Sequence, residues 1–247
     1  MTENQPLRVL FLDIDGVMIS NPAQRDLDRY QSDRAKYGHA VTIDRSARLA
    51  FDFLLQITGA KVCLATGWAW HTFYKTTPGL GLAIEQLQLE PGQWFDRKSV
   101  FEPERHQARF FELMQRHPRH EDKGLLIRET LAAASERGLE VEGWALLDDD
   151  FGDALFDKMK GRGIVKVDGN VGLDVPAALT AARKMGVEIG EQDLDQARSL
   201  QKQWKFLRDQ DDLWAYETGT IQCACLFCPT CILNSRTIKS ANTTRIS

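Results

Sequence analysis

Two carboxylates two positions apart are the first residues of this sequence that could do chemistry. Asp13 and Asp15 follow directly after the apolar segment Leu7–Leu12. Carboxylates this close repel each other, so the pair needs a cation or a shared proton. Both can point to one place only if the chain turns after Asp13, and Gly16 permits such a turn. The pattern favours a hard divalent cation such as Mg²⁺, which prefers oxygen ligands; the alternative is an ordinary Asx turn at the end of a strand.

A second acidic cluster lies far along the chain, where Asp148, Asp149 and Asp150 follow the apolar run at residues 144–147. Adjacent like charges are unfavourable unless water or a metal ion neutralises them. The alternative is a solvated turn that leads into a helix, because acidic residues are stabilised near a helix N-terminus. If both clusters lie at the same edge of a sheet, a joint metal site is the better interpretation.

The segments that must position these acids alternate between apolar runs and amphipathic stretches. Short apolar runs that end in a polar residue are typical of buried parallel strands, and they cover residues 7–12, 61–65, 144–147 and 163–167. Helices are predicted at residues 43–57, 103–116, 123–137, 154–160, 176–184 and 190–215. Asp44 is a candidate N-cap for the first of them.

This alternation predicts an α/β fold with a mainly parallel sheet flanked by helices. In such sheets ligands bind outside the carboxyl ends of the strands. Both acidic clusters follow predicted strands, so we expect them to converge at that edge.

The composition of the 247 residues is that of a globular protein, with 43% hydrophobic and 27% charged residues. These values exclude wholesale disorder and fibrous repeats. The net charge of −4 gives no global basic excess of the kind typical of dedicated nucleic-acid binders. The sequence shows neither a membrane-spanning apolar run nor a signal-peptide pattern, so we expect a cytoplasmic protein with no membrane partner.

Four motifs, taken in order, resemble those of the haloacid dehalogenase (HAD) superfamily of phosphohydrolases. They are a strand leading into Asp-x-Asp at residues 10–17, a strand ending in Thr66-Gly67, a lysine near a helix start at Lys123, and a strand ending in Asp148-Asp149. The resemblance spans roughly residues 7–185 and implies a HAD-like (Rossmannoid) fold.

The chain is similar, more narrowly, to the small HAD domains associated with RNA-repair proteins. The likeness is carried by Gly16-Val17, by Trp68 soon after the second motif, by the triple acid, and by Asp-x-x-x-Gly-Leu from Asp168 to Leu173. Where those domains usually have Trp-Arg, this sequence has Trp68-Ala69. A substrate contact through that arginine is therefore not implied here.

The resemblance implies a phosphomonoester hydrolase that works through an aspartyl-phosphate intermediate. Asp13 would be the nucleophile, while Asp15 would protonate the leaving oxygen and then deprotonate the attacking water. Mg²⁺ would be held by the Asp13 carboxylate, the Asp15 backbone carbonyl and Asp148. Asp149 would lie nearby or bind the ion through water.

The same resemblance implies which residues bind the phosphoryl group. The Thr66 hydroxyl and the Gly67 amide would bind a phosphoryl oxygen, and Lys123 would neutralise charge on the nucleophile and the transferring group. Lys98 competes for the lysine role, but it lies in an irregular stretch. Lys123 begins the helix that leads into the fourth motif, and it is therefore favoured.

Three regions are predicted along the chain: a HAD-like phosphohydrolase domain at 1–188, a polar helical extension at 189–217, and a Cys-rich, weakly ordered tail at 218–247. HAD enzymes often carry a cap domain over the active site. The chain between the first motif and the second strand is long enough only for a short flap, which predicts a minimal cap and an open site.

We expect a phosphorylated substrate, with nucleotides and nucleic-acid ends as candidates. The alternatives are a small-metabolite phosphatase and a catalytically degenerate HAD-fold binding protein.

Four cysteines crowd into nine residues of the tail, at Cys223, Cys225, Cys228 and Cys231. Four thiolates can hold a second metal such as zinc, but zinc sites usually place their pairs on separate knuckles. A disordered Cys-rich tail is the favoured interpretation, and metal binding, disulfide formation and lipid modification are the alternatives. The total of five cysteines is odd, and four of them in nine residues make a poor disulfide framework for a chain of this length, so a reducing compartment is expected.

Overall fold

The computed structural model describes residues 7–21, 43–65, 86–95, 121–150 and 162–217. Every strand predicted from the sequence falls within these ranges. The helices predicted at residues 103–116 and 154–160 lie outside them, as do most of the flap between the first strand and the first helix and the whole Cys-rich tail.

Four strands form one parallel sheet in the described part of the chain. They are β1 Leu7–Leu12, β2 Lys61–Leu64, β3 Val141–Asp148 and β4 Ile164–Lys166, in the spatial order β2-β1-β3-β4. The predicted α/β class and the predicted parallel sheet are therefore confirmed. β3 begins earlier than expected, because residues 141–143 pair with the start of β1 across a register irregularity.

Helices cover both faces of the sheet. They are α1 Arg45–Thr58, α2 Glu121–Glu136, α3 Val175–Lys184 and α4 Glu191–Glu217. Because side chains alternate along a strand, β1 supplies both cores. Leu10 and Leu12 pack in the larger core with α1 and α3, whereas Val9 and Phe11 pack in the smaller core with Ile127 of α2.

The long helix α4 is anchored to the larger core by a few apolar residues. Trp204 and Ala197 are buried there, and Trp204 Nε1 donates a hydrogen bond to the Leu173 carbonyl at 2.9 Å. The polar helix predicted at residues 190–215 therefore packs on α1 and α3. Within the described ranges, no helix combines the length and apolar character that crossing a bilayer requires.

Asp44 occupies the N-cap position of α1, as predicted, but its side chain makes no capping hydrogen bond. Its Oδ2 instead accepts a hydrogen bond from the Ser20 backbone N–H at 3.0 Å and lies 3.5 Å from Nη1 of Arg208. The carboxylate therefore joins the loop after β1 to helix α4 instead of satisfying the first turn of α1.

Candidate active site

The central strand pair places Asp13 beside Asp148. Leu12 of β1 is the register partner of Leu147 of β3, so each aspartate follows a paired residue. The Asp13 backbone N–H donates to the Leu147 carbonyl at 3.0 Å, which extends the ladder by one step. Both side chains are buried, with 6% of Asp13 and 0% of Asp148 exposed. The two predicted acidic clusters thus meet at the carboxyl edge of the sheet.

Lys123 bridges these two buried carboxylates from the first turn of α2. Its Nζ contacts Oδ2 of Asp13 and lies 2.6 Å from Oδ2 of Asp148. Burial lowers the pKa of Lys123, but the carboxylates of Asp13 and Asp148 outweigh that effect and raise it above the usual lysine value. The ammonium is therefore a permanent cation in the site near neutral pH.

Asp149 completes a cluster with Asp13 and Asp148. One carboxylate oxygen from each of the three residues lies within 4.8 Å of the others. The Asp149 carboxylate lies close to two glycines, because a Cβ built on either Gly16 or Gly169 would overlap it. Gly16 has a φ of +69°, which supports the turn expected there from the sequence. Gly169 is marked by no local sequence pattern, and its closeness to Asp149 is seen only in the structure.

Asp15 lies in the tight loop that follows Asp13. The loop is closed by hydrogen bonds from the Met18 and Ile19 N–H groups to the Ile14 carbonyl, at 2.9 and 3.0 Å. Asp15 is half-buried, and its carboxylate does not belong to the three-residue cluster. This arrangement leaves Asp15 on the same loop as the nucleophile candidate but outside the oxygen group that faces Lys123.

The protonation equilibria of the cluster reflect its burial. Burial raises the pKa of Asp148 to about 6, and the Asp13 charge adds to this effect while Lys123 opposes it. Burial also raises the pKa of Asp149, again with a contribution from Asp13. Because the carboxylates destabilise one another's charge, any bound cation would lower the electrostatic free energy of this group.

The donor set suits a hard divalent cation. Mg²⁺ takes oxygen ligands at about 2.1 Å, so two oxygens on opposite sides of one ion lie about 4.2 Å apart. One carboxylate oxygen from each of Asp13, Asp148 and Asp149 already lies within 4.8 Å of the other two. Small side-chain adjustments would therefore let the three residues hold one such ion.

The remaining predicted site residues lie outside the described residues. These are Thr66 and Gly67, the competing Lys98, and the four cysteines Cys223, Cys225, Cys228 and Cys231. The described chain reaches Ala65, whose N–H donates to the Leu12 carbonyl at 2.8 Å. The residue before Thr66 is thus bonded to the residue before Asp13.

Comparison with known proteins indicates the family of this chain. The family model of the HAD domain in Swiss Army Knife RNA repair proteins matches residues 9–178, more than half of the chain. No curated protein and no solved structure matches the sequence. A HAD domain suggests a phosphatase-type hydrolase, and the buried aspartate cluster is compatible with metal binding. With its parallel sheet and its acids at the strand ends, the chain belongs to the HAD superfamily, as a domain of the Swiss Army Knife RNA-repair type.

Proposed function

We propose that this protein is a Mg²⁺-dependent phosphomonoester hydrolase that forms an aspartyl-phosphate on Asp13. The observation that carries the proposal is the meeting of Asp13, Asp148, Asp149 and Lys123 at one sheet edge. A buried nucleophile, a buried cation and further carboxylates are the groups that phosphoryl transfer needs, because its catalysis is mainly positioning and charge stabilisation.

Two contacts orient the Asp13 carboxylate for attack on phosphorus. Its Oδ1 accepts a hydrogen bond from the Ile14 N–H at 2.7 Å, and its Oδ2 contacts Lys123. In the first step a carboxylate oxygen of Asp13 bonds to phosphorus, the ester P–O bond breaks, and Asp15 gives its proton to the leaving oxygen. In the second step Asp15 takes a proton from water, the water oxygen attacks phosphorus, and the acyl-phosphate bond breaks to release phosphate.

Two cations would neutralise the negative charge on the nucleophile and on the phosphoryl oxygens. Mg²⁺, held by Asp13, Asp148, the Asp15 carbonyl and Asp149, would neutralise charge on the phosphoryl oxygens when bound. Lys123 neutralises the nucleophile and the transferring group. Its raised pKa supports this role, since the ammonium remains protonated. Thr66 and Gly67 are proposed to bind a phosphoryl oxygen.

For the substrate we propose a nucleotide or a phosphorylated nucleic-acid end. The support is the family description, since the matching domain type is that of RNA repair proteins. The alternatives that the experiment must distinguish from this proposal are a small-metabolite phosphatase and a catalytically degenerate binding protein. A cytoplasmic location remains part of the proposal and rests on the sequence pattern.

The test is a phosphate-release panel run with Mg²⁺ and with EDTA. It compares mononucleotides, sugar phosphates, and RNA and DNA oligonucleotides phosphorylated at the 5′ or the 3′ end. We expect Mg²⁺-dependent release that is fastest with nucleotides or oligonucleotide ends. Fastest release from sugar phosphates would assign the protein to metabolite phosphatases, and no release from any compound would favour the binding protein.

The matched variants are Asp13→Asn and Asp195→Asn. The first removes the nucleophile and should lower the rate by roughly a thousandfold or more, about 4 kcal/mol in barrier height. The second makes the same chemical change at an exposed acid on α4 and should leave the rate unchanged. Equal activity of Asp13→Asn and wild type would exclude the mechanism.

A further inference from the structure

Helix α4 lies beyond the residues matched by the family model, which end at 178, yet one of its side chains reaches the loops around the candidate active site. We propose that Arg208 is a positioning residue for Asp149 and thereby sets the affinity of the site for a divalent cation. The inference rests on the proposed function, because it concerns the same carboxylate cluster.

Arg208 joins segments that are far apart in the sequence. Its Nη1 donates to Ser20 Oγ at 3.0 Å and lies 3.5 Å from Asp44 Oδ2, and its Nη2 donates to the Asn170 carbonyl at 3.0 Å. The guanidinium thus links the loop after β1, the start of α1 and the loop after β4. Only 12% of its side chain is exposed. Its contacts with Ser20 and Asp44 are partly buried, and its bond to the Asn170 carbonyl lies at the surface.

The buried Asp44 carboxylate orients the Arg208 guanidinium. Asp44 is buried, and Nη1 of Arg208 forms an ion pair with its Oδ2. A buried carboxylate requires a partner of opposite charge, and a planar guanidinium holds its geometry better than a flexible ammonium. The Asp44 pair therefore fixes the guanidinium, and the guanidinium in turn fixes the Asn170 carbonyl.

The loop that Arg208 holds forms one wall of the Asp149 site. Gly169, the neighbour of Asn170, lies so close to Asp149 that a Cβ there would overlap the carboxylate. The same loop is bound to the chain after β1, since the Asn21 N–H donates to the Gly169 carbonyl at 2.7 Å. Trp204 of α4 holds the end of the loop through the Leu173 carbonyl. Helix α4 therefore fixes the loop at two points.

A second wall of this site is Gly16, on the loop after Asp13, where a Cβ would also overlap the Asp149 carboxylate. With both walls in place, the Asp149 carboxylate stays near Asp13 and Asp148. If the Gly169 wall moves away, the Asp149 side chain gains rotamers that point away from the cluster. A metal ligand that must first be ordered binds its ion less tightly. Partners that orient metal ligands typically change metal affinity by about 10–100-fold, and we expect about tenfold for Arg208.

The experiment is Mg²⁺ titration of the full-length protein by calorimetry, with the ion alone as the probe. Arg208→Gln should raise the Kd for Mg²⁺ about tenfold, and Arg208→Lys should give an intermediate value because one ammonium cannot make both sets of contacts. The matched control is Arg198→Gln on the same helix, where the side chain is 72% exposed. Its Kd should equal that of wild type.

A double-mutant cycle separates positioning from a general structural effect. In an Asp149→Asn background, Asp13 and Asp148 remain as ligands, and adding Arg208→Gln should change the Kd less than twofold. The same tenfold loss in both backgrounds would overturn the proposal, because Arg208 would then not act through Asp149. A Kd for folded Arg208→Gln within twofold of wild type would also overturn it.

Gly169→Ala alters the same side of the Asp149 site without changing α4. It replaces Arg208→Gln in the experiment if that variant does not fold. The added methyl group would push on the Asp149 carboxylate and should raise the Kd at least tenfold; an unchanged Kd would contradict the proposal. Failure of the proposed function is distinguishable. A wild type that binds Mg²⁺ but hydrolyses no phosphoester refutes the enzyme and leaves the positioning test valid. A wild type that binds no Mg²⁺ refutes both.

Discussion

The Nζ of Lys123 lies 2.6 Å from Oδ2 of Asp148, an atom of a fully buried side chain. The same ammonium contacts Oδ2 of Asp13. One cation on α2 therefore stabilises the two acids that end neighbouring strands.

Replacing Lys123 by Met should leave two buried carboxylates facing each other without their shared ammonium. In EDTA at neutral pH we expect the free energy of unfolding to fall by about 3 kcal/mol, as for other broken buried ion pairs. Mg²⁺ should restore part of the loss, and kcat/KM should fall by about a hundredfold or more. Urea unfolding with and without Mg²⁺ measures the first effect. Equal stability of Lys123→Met and of the exposed-site control Lys202→Met would contradict the interpretation.

Asp148 should give the metal-free protein a distinctive pH dependence. Its folded-state pKa is about 6, against an ordinary value of 3.8, so between these pH values the folded state binds more protons than the unfolded state. The contribution of Asp148 to stability therefore decreases as pH rises from about 4 to about 6. Urea unfolding in EDTA should show that the free energy of unfolding of wild type falls relative to that of Asp148→Asn as pH rises through this window. Above the window the difference between the two should stay constant. A difference that does not vary with pH would refute the raised pKa.

Gly16→Ala should damage the metal site as well as the loop. Gly16 has a φ of +69°, so any side chain there is strained, and a Cβ would overlap the Asp149 carboxylate. We expect a loss of about 1–3 kcal/mol of stability from the backbone and a clear rise in the Kd for Mg²⁺.

Gly138→Ala is the matched control for that prediction. Gly138 has a φ of +72°, but a Cβ there would meet nothing within 4 Å. It should show a similar stability loss with unchanged Mg²⁺ affinity. If Gly16→Ala and Gly138→Ala bind Mg²⁺ equally well, the closeness of Gly16 to Asp149 does not affect the Mg²⁺ affinity.

The main features of the fold and the central acids could be predicted from sequence, because both follow from short-range patterns. Apolar runs gave the strands, and parallel strands bring their carboxyl ends to one edge, which is why Asp13 and Asp148 could be expected to meet. The weak motif at Lys123 became interpretable only because its helix leads into β3. The pairing of residues 141–143 with β1 was missed, since Glu142 and Gly143 break the apolar pattern.

Contacts made by packing could not be predicted in this way. Asp44 has the type and place of an N-cap, and nothing nearby in the sequence indicates that its carboxylate faces Arg208. Likewise, the closeness of Gly169 to Asp149 depends on how two loops from adjacent strands meet. Such relationships join residues that are distant in the chain, so they emerge only from the folded arrangement.

Chemical trapping of the intermediate tests the central claim most directly. The protein is mixed with Mg²⁺ and the best substrate of the phosphate-release panel, quenched in acid during turnover, and treated with borohydride, which reduces an acyl phosphate to an alcohol. Mass spectrometry of the peptide that contains β1 then locates the reduced residue. We predict homoserine at position 13 and none in the Asp13→Asn variant. Steady phosphate release with an unmodified position 13, or with the label on another residue, would contradict the account.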